Sequence, residues 1–174
     1  MFPFVDFNLE IGIIMTYIFV ALIALLIDIF TKLAAVKILM PINSVEIIKN
    51  ILNFTYVENK GIAFGMFAGR RFLFIIMSLF ILVMVLLVIF KTPKEARSIF
   101  LKVGGALVVS GAVGNLIDRV FKGYVVDFIE LRFIDFPVFN VADIAVCIGA
   151  AMLIIHFLFF DGKNVNAAEE KDNE

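Results

Sequence analysis

The chain has one cysteine, one histidine and few charges, and each shortage removes a class of chemistry. A lone Cys147 cannot close a disulfide within the chain, and inside an apolar run it reads as a packing residue. One Cys and one His cannot build a Cys/His zinc site, and they leave a Ser-His or Cys-His catalytic pair only one badly placed base, His156. No internal repeat, phosphate loop or metal cluster is visible, so neither a metal nor a cofactor is expected and no nucleic-acid partner is implied. Carboxylates, amides and Arg are left to carry any chemistry. Charge itself is scarce: 18% of the 174 residues are charged and 63% are hydrophobic, with a mean hydropathy of +1.07. That is too apolar for a soluble domain of this length.

The apolar residues fall in four long runs, Ile11 to Ile27, Phe72 to Phe90, Ile99 to Ile117 and Ile144 to Phe160. Each is near the roughly 17–25 residues that a spanning helix needs. The sequence therefore predicts an all-α integral membrane protein, a four-transmembrane-helix bundle with spans at about 11–30, 72–90, 99–118 and 142–160. No Lys or Arg precedes Ile11 and no small-residue cleavage pattern closes the first run, so it is expected to stay as a span. Lys102 and His156 each sit one turn from the end of a run and read as interfacial residues whose polar ends reach the headgroups.

Lys91, Lys94, Arg97 and Lys102 form the densest basic cluster, between the second and third runs, which predicts a cytoplasmic link and both termini cytoplasmic. Residues 31–71 and 119–140 then face outward. Within about 41–70, the stretches Val45-Glu46-Ile47-Ile48 and Leu52-Asn53-Phe54-Thr55-Tyr56-Val57 are β-rich and punctuated by turn residues, so a small extracytoplasmic β-sheet and loop are expected. The third run carries Gly104, Gly105, Gly111 and Gly114 among other small residues, the composition of a central, closely packed helix. Residues 1–162 read as one membrane-embedded domain and 163–174 as a polar cytoplasmic tail.

Against this apolar background the acids stand out, since a charge at a helix centre costs on the order of 2.5–3.5 kcal/mol on insertion scales. Asn115, Asp118 and Arg119 share one face at the outer end of the third helix. Asn140 and Asp143 stand three apart across the start of the fourth, where Asn140 can act as an N-cap. A cap, and an Asp118–Arg119 ion pair, would each need no function. Asp127, flanked by Tyr124-Val125-Val126 and Phe128-Ile129, has no such explanation, and Asp143 is the acid that returns to the same membrane boundary. Two carboxylates close together in a low-dielectric cleft cannot both ionise easily, so one keeps a proton while the other acts as base. That is the chemistry of an aspartic protease.

Four motifs in order resemble the lipoprotein signal peptidases, or signal peptidase II. They are Asp28-Ile29-Phe30-Thr31-Lys32, Asn59-Lys60-Gly61-Ile62-Ala63-Phe64, Gly114-Asn115-Leu116-Ile117-Asp118-Arg119 with Val126-Asp127-Phe128, and Phe139-Asn140-Val141-Ala142-Asp143. The resemblance implies an aspartic endopeptidase of the bacterial cytoplasmic (inner) membrane with Asp127 and Asp143 as catalytic dyad. It implies that Asn59, Asn115, Arg119 and Asn140 hold substrate or dyad, with Asp28, Lys32, Gly114 and Asp118 in support. It departs from the family's usual pattern at Ile29, where Gln is usual, and at Ile62, where Ala is usual. The implied partners are membrane lipids and a diacylglyceryl-modified prolipoprotein, cut just before its lipidated Cys near the outer face, and a globomycin-type inhibitor is expected. A proton-coupled small transporter would use the same carboxylates, and an assembly protein is a third reading. Against transport, the acids cluster at one face and no inverted repeat is visible.

Overall fold

In the computed structural model, residues 4–61, 71–92 and 98–160 are described, with side chains from Met15 onward. Residues 62–70 of the outer segment, including Ile62, the link residues Lys94 and Arg97, and the tail 163–174 lie outside the described residues. The described chain runs α1 (Phe4–Ile38), β1 (Ser44–Ile48), β2 (Leu52–Asn59), α2 (Arg71–Lys91), α3 (Ile99–Phe121), β3 (Val125–Leu131) and α4 (Val141–Phe159). Four stretches are long and apolar enough to cross a membrane: Met15–Ile38 within α1, then α2, α3 and α4. At 1.5 Å per residue each covers about 30 Å, the thickness of the hydrocarbon core.

The first helix differs from the sequence reading, which ended the span near residue 30 and began outer chain at 31. It continues to Ile38, because 31–38 holds no Gly or Pro and the next Pro is Pro41. Thr31 points its hydroxyl back to the carbonyls of Ile27 (2.8 Å) and Asp28 (2.9 Å), so it stays within the helix. Asp28 and Lys32 consequently stand one turn apart inside α1, not in a connector.

The extension has a use. Ala35 and Leu39 at its end form a buried cluster with Val126 and Phe128, and Phe54 meets Phe128 edge-on at 6.1 Å. The sheet they support is antiparallel in the order β1-β2-β3. Asn50 takes φ 58° in the β1–β2 turn, a left-handed conformation that Asn tolerates. The third strand was not expected. Val125–Leu131 lacks polar alternation because Val126 and Phe128 pack on α1 while Val125 and Asp127 are buried on the opposite face. It follows α3 through Gly123, whose φ of +85° suits glycine, and whose N–H and that of Lys122 both end on the carbonyl of Asp118.

The central position expected of α3 is observed. It contacts α1, α2 and α4 through its glycines. A Cβ at Gly104 would stand 2.9 Å from the Gly149 carbonyl oxygen, and one at Gly149 would stand 2.6 Å from that of Gly104, so the α3–α4 crossing has room only for hydrogen at both positions. Arg71 at the start of α2 donates to the carbonyl of Val120, tying α2 to the C-terminal end of α3.

Candidate functional site

The polar residues gather where the C-terminal end of α3, the start of α4, β3 and the end of β2 meet. On the sheet, Val57 opposes Asp127 in register, so Asn59, two residues further on the same face of β2, is the diagonal neighbour of Asp127. Asn59 Nδ2 donates to Asp127 Oδ2 at 2.7 Å. At the α4 start, Asn140 is the N-cap: its Oδ1 accepts from Asp143 N at 3.0 Å while Asp143 Oδ2 accepts from Asn140 N at 3.1 Å, a reciprocal capping box. The expected cap is therefore present, and it does more than cap. Asn140 Nδ2 donates to Asp127 Oδ1 at 2.6 Å and to Asn115 Oδ1 at 3.1 Å. Asn115 Nδ2 in turn donates to Asp143 Oδ1 at 2.8 Å.

Each amide orientation is dictated by a group that can only donate. Lys32 Nζ donates to Asn115 Oδ1 at 2.9 Å, so the Asn115 NH2 must face Asp143. The backbone N–H of Asp143 claims Asn140 Oδ1, so that NH2 must face Asp127. The backbone N–H of Gly61 claims Asn59 Oδ1 at 3.0 Å, with the same consequence. All four carboxylate oxygens of Asp127 and Asp143 thus accept from fixed protein donors. None of these donors can accept a proton from either acid.

Asp127, Asp143, Arg119 and Asn59 together line a cavity of about 550 Å³. The guanidinium of Arg119 is held 5.4 Å from the ring centroid of buried Phe74 and lies 3.4 Å from the Asn115 carbonyl oxygen. Asp127 is 2% exposed. Burial and the neighbouring Asp143 charge raise its carboxyl, against the lowering pull of the Asn59 and Asn140 bonds, and the outcome is a pKa pushed up to about 7.

Behind this layer lies a buried ion cluster. Lys32 Nζ meets Asp28 Oδ2 at 2.8 Å and Asp118 Oδ2 at 3.5 Å, and Asp28 Oδ1 accepts from the N–H of Ala142 at 2.9 Å. A Cβ on Gly114 would collide with the Asp28 carboxylate, so glycine there lets α1 carry Asp28 up to the start of α4. Of the partners that the sequence allows Asp118, Arg119 or another neighbour, it is a neighbour that is met. Asp118 binds Lys122 Nζ at 2.7 Å and accepts from Val126 N at 3.1 Å, because residues one apart on a helix point in different directions while Lys122 stands one turn on. Asp118 thereby fixes the entry to β3. Ile29 is half-buried, and Asp28 meets Lys32 as an ion pair and the N–H of Ala142 without an amide beside it.

Two further expectations are corrected. Cys147, read as packing, is exposed and lines the cavity one turn after Asp143. His156, read as reaching the headgroups, is 0% exposed, with Nδ1 2.9 Å from Ser98 Oγ. Run position alone does not say which way either side chain faces. The sequence reading also missed Phe74 as the platform for Arg119. Its only signal was an aromatic at the start of the second run.

A family model described as signal peptidase (SPase) II matches residues 20–159. The chain belongs to the signal peptidase II family. Among its relatives, the lipoprotein signal peptidase of Clostridium novyi (strain NT) is 41% identical over 149 residues, covering 84% of this chain and 99% of the relative. That of Halothermothrix orenii is 43% identical over 142 residues, covering 82% and 94%. A bacterial membrane enzyme solved by the in meso method at 2.3 Å is 37% identical, with a TM-score of 0.71 over 82% of this chain and 87% of that one. Signal peptidase II membership makes the chain a multi-pass membrane peptidase.

Proposed function

We propose that this signal peptidase II member is an aspartic endopeptidase with Asp127 and Asp143 as its dyad. It removes signal peptides from prolipoproteins. The finer reading is that it cuts just before a diacylglyceryl-modified Cys. The single observation that carries the dyad is that both acids border one cavity while every oxygen on them accepts from a fixed amide or backbone donor.

In this reading Asp127 holds the proton at rest, in keeping with its pKa of about 7, and Asp143 is the ionised base. Asp143 takes a proton from water as the water oxygen bonds to the scissile carbonyl carbon. Asp127 gives its proton to the carbonyl oxygen, forming a neutral gem-diol. Collapse of the gem-diol returns a proton to Asp127 from a hydroxyl, and Asp143 passes its proton to the leaving amine. Asn59, Asn115 and Asn140 hold the dyad, and Arg119, cationic at the cavity wall, orients the peptide. Asp28, Lys32, Gly114 and Asp118 support them from behind.

The basic link supports an orientation with both termini cytoplasmic, in the bacterial cytoplasmic membrane, and the dyad near the outer face. Residues 1–162 then form one membrane-embedded domain with 163–174 as tail. A lipidated substrate presents its scissile bond at the membrane surface with acyl chains in the bilayer, where a dyad at the outer helix ends meets it. A globomycin-type lipopeptide should block the same cavity. The transporter reading is weaker, because the acids and amides close on one another at one end of the bundle.

The test is cleavage of a lipidated prolipoprotein by purified protein in nanodiscs, with unlipidated substrate and globomycin as the other arms. Turnover of the lipidated substrate, blocked by globomycin, is expected. Equal turnover of both substrates would remove the lipid-anchoring argument, and no cleavage of either would overturn the reading.

A further inference from the structure

The far end of α3 holds polar groups for which peptide hydrolysis has no use. Lys102, one turn inside α3, is about 20 Å along the helix from Asn115. Its ammonium stands 5.7 Å from the centroid of the Tyr17 ring and has no ion pair among the described residues. The hydroxyl of Tyr17 is buried without a hydrogen-bond partner among the described residues. A buried hydroxyl left unpaired is costly. Both side chains border a cavity of about 310 Å³ between α1, α2 and α3, whose remaining wall is hydrocarbon, including Leu86, Ile89 and Val109. Lys91, in the last turn of α2, adds a second cation at the same end of the bundle.

These groups define the occupant. The wall belongs to membrane-spanning helices, so what reaches it is a lipid chain. At its polar end the ammonium can only donate and the hydroxyl is able to donate beside it, a pair that an anion satisfies. A phosphate with no cation of its own on the headgroup meets that demand better than a zwitterionic one, whose choline competes with Lys102. We propose that this cavity binds an anionic phospholipid of the leaflet opposite the dyad, with its phosphate between Lys102 and Tyr17 and one acyl chain along Leu86, Ile89 and Val109.

The site rests on the membrane embedding of the helices and not on the catalytic reading, so its test does not use cleavage. The full-length protein is reconstituted in nanodiscs of phosphatidylcholine alone or mixed with phosphatidylglycerol, released into detergent, and the lipid that stays bound is counted by native mass spectrometry. The wild type should retain phosphatidylglycerol in preference to phosphatidylcholine. Lys102→Gln and Tyr17→Phe should each reduce that retention, Lys102→Gln by roughly tenfold for the loss of a charge-assisted bond. Val109→Trp, which fills the apolar part, should reduce retention with both polar groups intact. Inorganic phosphate should not displace the lipid. Equal retention of the two lipids, unchanged retention in Lys102→Gln, or full retention in Val109→Trp would overturn the proposal. Displacement by inorganic phosphate would reduce the site to one for a free anion and overturn it as well.

Discussion

The two ends of α3 solve the problem of polarity in a membrane in opposite ways. At its C-terminal end Asn115 and Asp118 are buried, yet their side-chain polar atoms meet partners: Lys32, Asn140, Asp143, Lys122 and the N–H of Val126. At its N-terminal end the Tyr17 hydroxyl and Nε2 of His156 are buried with none among the described residues, and Lys102 faces the Tyr17 ring. A network closed on itself fixes orientation, which is what proton transfer needs. Open valences suit a region that awaits something from outside. Substitutions at the C-terminal end should therefore change turnover, and substitutions at the N-terminal end should change stability or lipid content while leaving the chemistry alone.

The largest effect is expected from Asp127→Asn and Asp143→Asn, each lowering kcat by at least about 10³-fold because each removes half of the proton-transfer pair. Circular dichroism and membrane insertion of both variants should remain those of the wild type. Turnover of either variant within tenfold of wild type would break the contrast between the two ends. Lys32→Met should follow. It leaves Asp28 and Asp118 without their shared cation, at a cost of about 3–5 kcal/mol, read as a fall in the thermal unfolding midpoint. Lys32→Arg, which keeps the charge but not the point geometry, should recover part of the stability and less of the turnover.

Asn115→Leu should lower kcat by about 10²-fold with little change in KM, since it frees Asp143 to rotate without touching the substrate-facing wall. An effect confined to KM would assign Asn115 to substrate binding. At the N-terminal end of α3, Ser98→Ala removes the N-cap and the bond to His156, and should cost about 1 kcal/mol while leaving kcat within twofold. A large loss of turnover in that variant would mean that the two ends are mechanically coupled.

Much of this was legible in the residues, for identifiable reasons. The spans could be read because a bilayer demands about 20 apolar residues whatever the packing. The continuation of α1 to Ile38 was hidden because residues 31–38 lie at the boundary, where helix and outer loop are equally compatible with the composition. β3 was hidden because Val125–Leu131 is buried on both faces, and a buried strand cannot be told from any other apolar segment by alternation. The acids and amides could be named from their motifs, but not the directions of the amides. Those follow from Lys32, Gly61 N and Asp143 N, contacts up to 83 residues apart in sequence. Cys147 and His156 were misread for a related reason. One turn of helix decides whether a side chain meets lipid, a cavity or a neighbour, and hydropathy is blind to that turn.

The proposed dyad depends on Asp127 staying protonated near neutrality, and that has a sign. Its carboxyl is raised from the ordinary Asp value to about 7, so between about pH 4 and pH 7 the folded protein binds a proton that the unfolded chain has released. Stability should fall as pH rises through that window and level off above it, and kcat should fall as pH rises through about 7 because the acid is then spent. Infrared difference titration of the reconstituted protein follows this proton directly, through the carbonyl stretch of the protonated carboxyl, with Asp127→Asn as the subtraction. A band that disappears with a midpoint near pH 7 and is missing from Asp127→Asn is the expected result. An Asp127 carboxyl already ionised at pH 5 would contradict a shared proton in this pair.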